Sequence, residues 1–183
     1  LERYIAFLRG VNVGGNNKIS MPVLKETFEE NGFLNVRTYI NSGNIIFSSD
    51  IQNKSKLTKQ CETIIVDKFN TYISVLVLSP NELSDILSNA PDWWDSGDQE
   101  RYNSIIFVIP PTTADEVYAV IGEAKPDYEQ VEIYKNVIFW SFKRNYRSKT
   151  QWGKTGNTSF KNKITVRNAN TARKLLKLAE KSE

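Results

Sequence analysis

The apolar run from Tyr4 to Leu8 predicts a short buried strand at the start of the chain. Behind it Met21, Leu24 and Phe28 recur at helical spacing after Ser20, a suitable N-cap, and Gly32 is placed to end that helix. Val36 to Ile40 and Ile45 to Ser48 then predict two strands joined across Asn41, Ser42, Gly43 and Asn44, residues that favour a hairpin turn. Leu57, Cys61, Ile64, Ile65 and Phe69 share one face of a second helix, and Ile73, Val75 and Val77 alternate as a strand. The order is βαββαβ, the split βαβ arrangement of a ferredoxin-like unit. Ser79 and Glu82 form a capping box with Pro80 at the first helical position, and the helix they open carries Leu83, Ile86 and Leu87.

Both periodicities fail between Pro91 and Glu100, where Pro, Gly and clustered acids accompany Trp93 and Trp94. The pattern then restarts. Asn103 to Ile109 predicts a strand, Thr113 and Glu116 a capping box ahead of Val117, Val120 and Ile121, and Val131 to Tyr134 pairs with Val137 to Phe142 across Lys135 and Asn136. The ending differs: a short strand near Ile164 to Val166, then a helix with Ala172, Leu175, Leu176 and Ala179 on its apolar side. The expected fold class is α+β, with two ferredoxin-like subdomains, mainly antiparallel sheets, and an atypical C-terminal end in the second. Residues 1–90 make the first subdomain plus an extra helix, 91–101 an acidic linker, and 102–183 the second subdomain with its basic C-terminal segment.

This topology brings two polar loops together. The first and second strands of a split βαβ unit run parallel, so Arg9 to Lys18 and Asn41 to Asn44 should leave the sheet at one edge. The first loop has the groups for anion contact: charge on Arg9 and Lys18, close backbone approach at Gly10, Gly14 and Gly15, and neutral donors on Asn12, Asn16 and Asn17. It lacks the spacing of a dinucleotide or Walker-type phosphate loop. A plain turn explains Gly14 and Gly15 equally well, and a hairpin explains Asn41, Ser42, Gly43 and Asn44. A third polar group, Arg167 and Asn168, precedes the last helix, where Asn168 serves either as a cap or as part of an anion site.

Composition narrows the chemistry. The 183 residues include 21 aromatics, one cysteine, Cys61, and no histidine. A lone cysteine excludes an internal disulfide, and the missing histidine removes the usual general base and the commonest zinc ligand. We expect no cofactor, no metal site and no membrane partner, and a cytoplasmic protein without a signal peptide. Net charge is +3, but from Lys143 to Lys177 there are eleven Lys or Arg and no acid, while the rest of the chain carries 13 basic against 21 acidic groups. That block interleaves Tyr146, Trp152 and Phe160 with its cations, the combination of charge and exposed aromatics that single-stranded nucleic acid requires. The acidic stretch from Glu82 to Glu132 is the counterweight that would neutralise it.

The motifs RGVNVGGNNK (Arg9 to Lys18), TYINSGNIIF (Thr38 to Phe47) and TVRNANT (Thr165 to Thr171) together resemble the bacterial family known as domain of unknown function 1697. The resemblance implies two ferredoxin-like subdomains and marks Arg9, Gly10, Asn12, Gly14, Gly15, Ser42, Gly43, Asn44, Arg167 and Asn168 among its signature positions. It implies no activity. The leading expectation is an anionic ligand, a phosphate-bearing molecule, nucleotide or nucleic acid, held by Arg9 to Gly15 and Asn41 to Asn44, with Lys18, Arg167 and Asn168 contributing. The alternatives are an enzyme of unassigned chemistry on a phosphorylated substrate and an oligomerising scaffold. None of the three motifs supplies Asp, Glu, His or Cys, so catalytic residues stay unassigned.

Overall fold

The computed structural model describes residues 1–181. By internal contact the chain forms two compact units, Leu1–Ser84 together with the stretch from Lys174 on, and Asp85–Arg173. Each carries a four-stranded antiparallel sheet.

In the first unit β1 (Glu2–Leu8), α1 (Met21–Glu30), β2 (Leu34–Thr38), β3 (Asn44–Ser49), α2 (Lys54–Phe69) and β4 (Val75–Leu78) give the expected βαββαβ order, with strands arranged β2-β3-β1-β4. The period-2 pattern of β1 puts Tyr4, Ala6 and Leu8 on one face, where they join Ile45 and Phe47 of β3, Leu24 and Phe28 of α1, and Leu57, Cys61 and Ile65 of α2. Phe28, Phe33 and Phe47 pack ring to ring at 4.5–6.0 Å, and Tyr4 adds a fourth ring 5.9 Å from Phe47. Gly32 turns the chain beyond the α1 cap Asn31 at φ +89°. Burial, with a smaller push from neighbouring Glu62, raises the Cys61 pKa to about 12, so its thiol is a core side chain rather than a nucleophile.

The capping box before α3 (Pro80–Ser88) forms as its sequence predicts: the Glu82 carboxylate accepts from Ser79 N at 2.8 Å, and Ser79 Oγ accepts from Glu82 N at 3.2 Å. Lys54 of α2 donates to the same carboxylate. Burial alone would raise the Glu82 pKa; the bonds from Lys54 and Ser79 outweigh it and the net shift is downward.

The second unit runs β5 (Arg101–Val108), α4 (Ala114–Ile121), β6 (Glu129–Tyr134), β7 (Val137–Lys143) and β8 (Ile164–Asn168), in sheet order β6-β7-β5-β8, before α5 (Ala169–Glu180). The capping box of Thr113 and Glu116 is present. Val120, expected on the inner face of α4, is instead exposed, because eight residues turn only Ala114, Val117 and Ile121 inward. The position of a second helix is taken by two 3-10 helices, Arg144–Lys149 and Trp152–Asn157. Trp152 and Phe160 from this segment fill the core beside Ile106, Trp140 and Phe142. Both were expected to be exposed, and the sheet face left by the absent helix is what takes them in. Trp94 packs edge-on against Phe139 of its own unit and donates to Ser104 O at 2.9 Å. Among the described residues no helix is long and apolar enough to cross a membrane.

Candidate functional site

Pairing of β1 with β3 brings the two polar loops of the first unit together at one sheet edge. Phe7 sits opposite Asn44, and Leu8 N donates to Gly43 O at 2.8 Å. The loop of residues 9–18 is a miniature hairpin: Asn12 N donates to Asn17 O, Asn16 N to Val13 O, and Gly14 and Gly15 form the two-residue turn at φ +59° and +78°. Two successive positive φ values are what a twist-compatible hairpin turn needs, and glycine adopts them at least cost.

Several polar side chains of these loops serve the fold. Asn12 accepts from Ile19 N and donates to Ile19 O and Asn41 O, all at 2.9 Å, which locks the hairpin to the neighbouring loop. Asn17 donates to Gly10 O at 3.2 Å. Asn44 is buried and donates to Tyr39 O at 3.0 Å and Ser42 Oγ at 3.1 Å. Gly43 admits no side chain, since a Cβ there would stand 2.8 Å from Leu8 Cβ.

What the hairpin turns outward is simpler. Gly14, Gly15, Lys18 and Asn41 are exposed. Among the described residues, the Lys18 ammonium and Arg9 guanidinium have no ion pair, and the Gly14 and Gly15 amides no protein acceptor. A depression of about 480 Å³ lies here, lined by Asn12, Gly15, Lys18, Asn41 and the start of α1 from Ser20 to Pro22. The α1 N-terminus has no side-chain cap and no acid in its first turn, so its positive end opens toward the depression uncompensated. Arg9 and Gly10 do not line it.

Arg167 and Asn168 belong to the second unit. Asn168 Oδ1 accepts from Thr171 N at 2.8 Å, the bond of a helix cap. Arg167 is buried on β8 and donates to Thr165 Oγ1 and Val166 O at 2.8 and 2.9 Å, and burial lowers its pKa to about 10.

Sequence reasoning missed Glu129. Its carboxylate is 1% exposed and accepts four N–H groups: Trp140 Nε1 and Trp152 N on one oxygen at 2.9 Å, Gln151 N at 3.0 Å and Lys125 N at 3.2 Å on the other. It fastens the 3-10 segment to β6. Asn136 does the same for the opposite end of the sheet, bonding Ala114 N, Val108 O and Thr112 O. Among the described residues no three His, Cys, Asp or Glu side chains gather as a metal site.

The geometry thus defines a class, an α+β protein of two ferredoxin-like units with antiparallel sheets. Within that class a family model described as protein of unknown function, DUF1697, matches residues 1–139, and the chain belongs to that family. The matched span holds both loops of the first unit and ends before Arg167. A solved structure of a conserved bacterial protein, SP0830 from Streptococcus pneumoniae, is similar over 97% of this chain and 98% of its own, at 32% identity and a TM-score of 0.84. No curated protein matches.

Proposed function

We propose that the protein binds a phosphate-bearing ligand at the sheet edge of its first unit, with Lys18, the Gly14 and Gly15 amides, Asn41 and the α1 N-terminus as contacts. Arg9 adds charge to the same loop, and Gly10, Asn12, Ser42, Gly43 and Asn44 hold the two loops in place. The observation that carries this reading is the uncompensated α1 N-terminus opening onto a depression that also holds an unpaired Lys18. The lining residues include no Asp, Glu, His or Cys, which favours binding over acid–base catalysis at this edge.

Thermal-shift titration with inorganic phosphate, pyrophosphate and nucleoside phosphates tests it. Ligand at about a hundredfold over Kd stabilises by about 2.7 kcal/mol, which raises Tm by about 5–10 °C for a chain of this size. Lys18→Glu should abolish the shift and leave the unliganded Tm within a degree or two. A wild-type protein whose Tm no phosphate compound moves at millimolar concentration refutes the reading.

A further inference from the structure

The basic segment of the second unit is exposed and preorganised. Lys143, Arg144, Arg147 and Lys149 are all exposed on or beside the first 3-10 helix, and Lys154, Lys161 and Lys163 follow on the same excursion. Among the described residues none of these seven enters an ion pair with an acid. Four acids of the stretch from Glu82 to Glu132 are engaged elsewhere: Glu82 pairs with Lys54, Asp85 with Lys135, Asp95 with Arg173, and Glu129 is turned inward. Charge unpaired inside the protein is available to a polyanion.

The same surface offers an aromatic platform. Tyr146 is 39% exposed and stacks on Tyr128 at 4.6 Å with planes 12° apart, while the Tyr128 hydroxyl donates to Lys149 O at 3.1 Å. Lys149 Nζ lies 5.7 Å from the Tyr146 ring centre. A rigid, partly exposed ring among unpaired cations matches two needs of an unpaired strand at once, phosphate neutralisation and base stacking. A duplex, whose bases are already stacked, has no use for the ring.

We propose that the exposed face of residues 143–163 is a docking surface for single-stranded nucleic acid, with Tyr146 as the stacking residue and Arg147 and Lys149 as principal phosphate contacts. It belongs to the second unit and rests on observations other than those that carry the Lys18 site. Glu129 and the buried Trp152 and Phe160 hold the backbone of this face in place, so the strand meets a formed surface.

Fluorescence anisotropy with labelled 12-mers of uridylate and thymidylate at 20 and 200 mM KCl tests the assignment. Four neutralised phosphates predict an affinity loss of about 100- to 1,000-fold between those salts. The double change Arg147→Gln and Lys149→Gln, at exposed positions that leave folding intact, should flatten this dependence. Tyr146→Ala should weaken binding about tenfold at unchanged salt slope. Absence of binding at 20 mM overturns the proposal. So does equal affinity for a duplex, an anionic vesicle or heparin together with indifference to Tyr146→Ala, which would mean adhesion by charge alone.

Discussion

Replacing Glu129 with Gln tests whether one buried carboxylate holds the irregular half of the second unit. The carboxylate accepts four N–H groups on two oxygens, two of them from the buried Trp140 ring and Trp152 backbone. An amide keeps one oxygen for one pair of donors and turns an NH2 toward the other pair. Two charge-assisted bonds disappear and two donors face a donor. Bonds to an ionised acceptor contribute about 1.5–3 kcal/mol each, so the substitution should cost about 3–5 kcal/mol. For a chain of this length that lowers Tm by about 10 °C. Calorimetry with far-UV circular dichroism measures it, and near-UV dichroism should report altered packing of Trp140 and Trp152. The second unit should melt at a lower temperature than the first, which the calorimetric trace would resolve as a separate transition. A Glu129→Gln variant melting within a degree of wild type would refute the argument, because it would mean water satisfies those donors equally well. Oligonucleotide affinity should fall with the same substitution, since the cations then sit on a looser backbone.

Gly43→Ala forces a Cβ to 2.8 Å from Leu8 Cβ at a φ of +78°, so we expect a loss of about 2–4 kcal/mol from strain and overpacking, read from denaturant unfolding; a near-neutral result would mean the hairpin can shift away from β1. Glu82 supplies the pH dependence. Its folded pKa lies below the unfolded value of about 4.3, so its stabilisation is complete above that pH and is lost as pH falls through the lower folded value. Unfolding curves of wild type and Glu82→Gln should therefore differ at pH 7 and converge in acid, and a gap that persists at pH 2 would contradict the assignment.

Elements with a strong local signal were legible. The unbroken apolar run from Tyr4 to Leu8 announces β1, and Ser79 with Glu82 announces α3 by a bond that spans only three residues. The convergence of the two first-unit loops was legible from topology, since a right-handed split βαβ unit leaves no other edge for them. The use of their asparagines was not. A side-chain amide looks the same in sequence whether it faces a ligand or the carbonyl of Asn41, and Asn12 reaches across 29 residues to make that choice. Glu129 was hidden for a related reason. Its donors Gln151 and Trp152 lie 22 and 23 residues away, and nothing local marks it as buried.

The exchange of a second helix for 3-10 turns also explains why the basic segment reads as featureless and still has fixed shape. In the 3-10 period, residues three apart eclipse one another. Thr150 Oγ1 donates to Arg147 O, Thr155 Oγ1 to Trp152 O and Thr158 Oγ1 to Thr155 O, each bond spanning three residues. Gly153 is part of the same economy, because a Cβ there would stand 2.3 Å from Thr150 Oγ1. Threonines and a glycine thus take over the backbone satisfaction an α-helix would have supplied, while Trp152 and Phe160 supply the apolar anchoring. An amphipathic helix on this sheet would have to give a wide stripe to the core. The 3-10 segment gives it two large rings, which leaves nearly every other position from Lys143 to Lys163 free to carry charge to the surface.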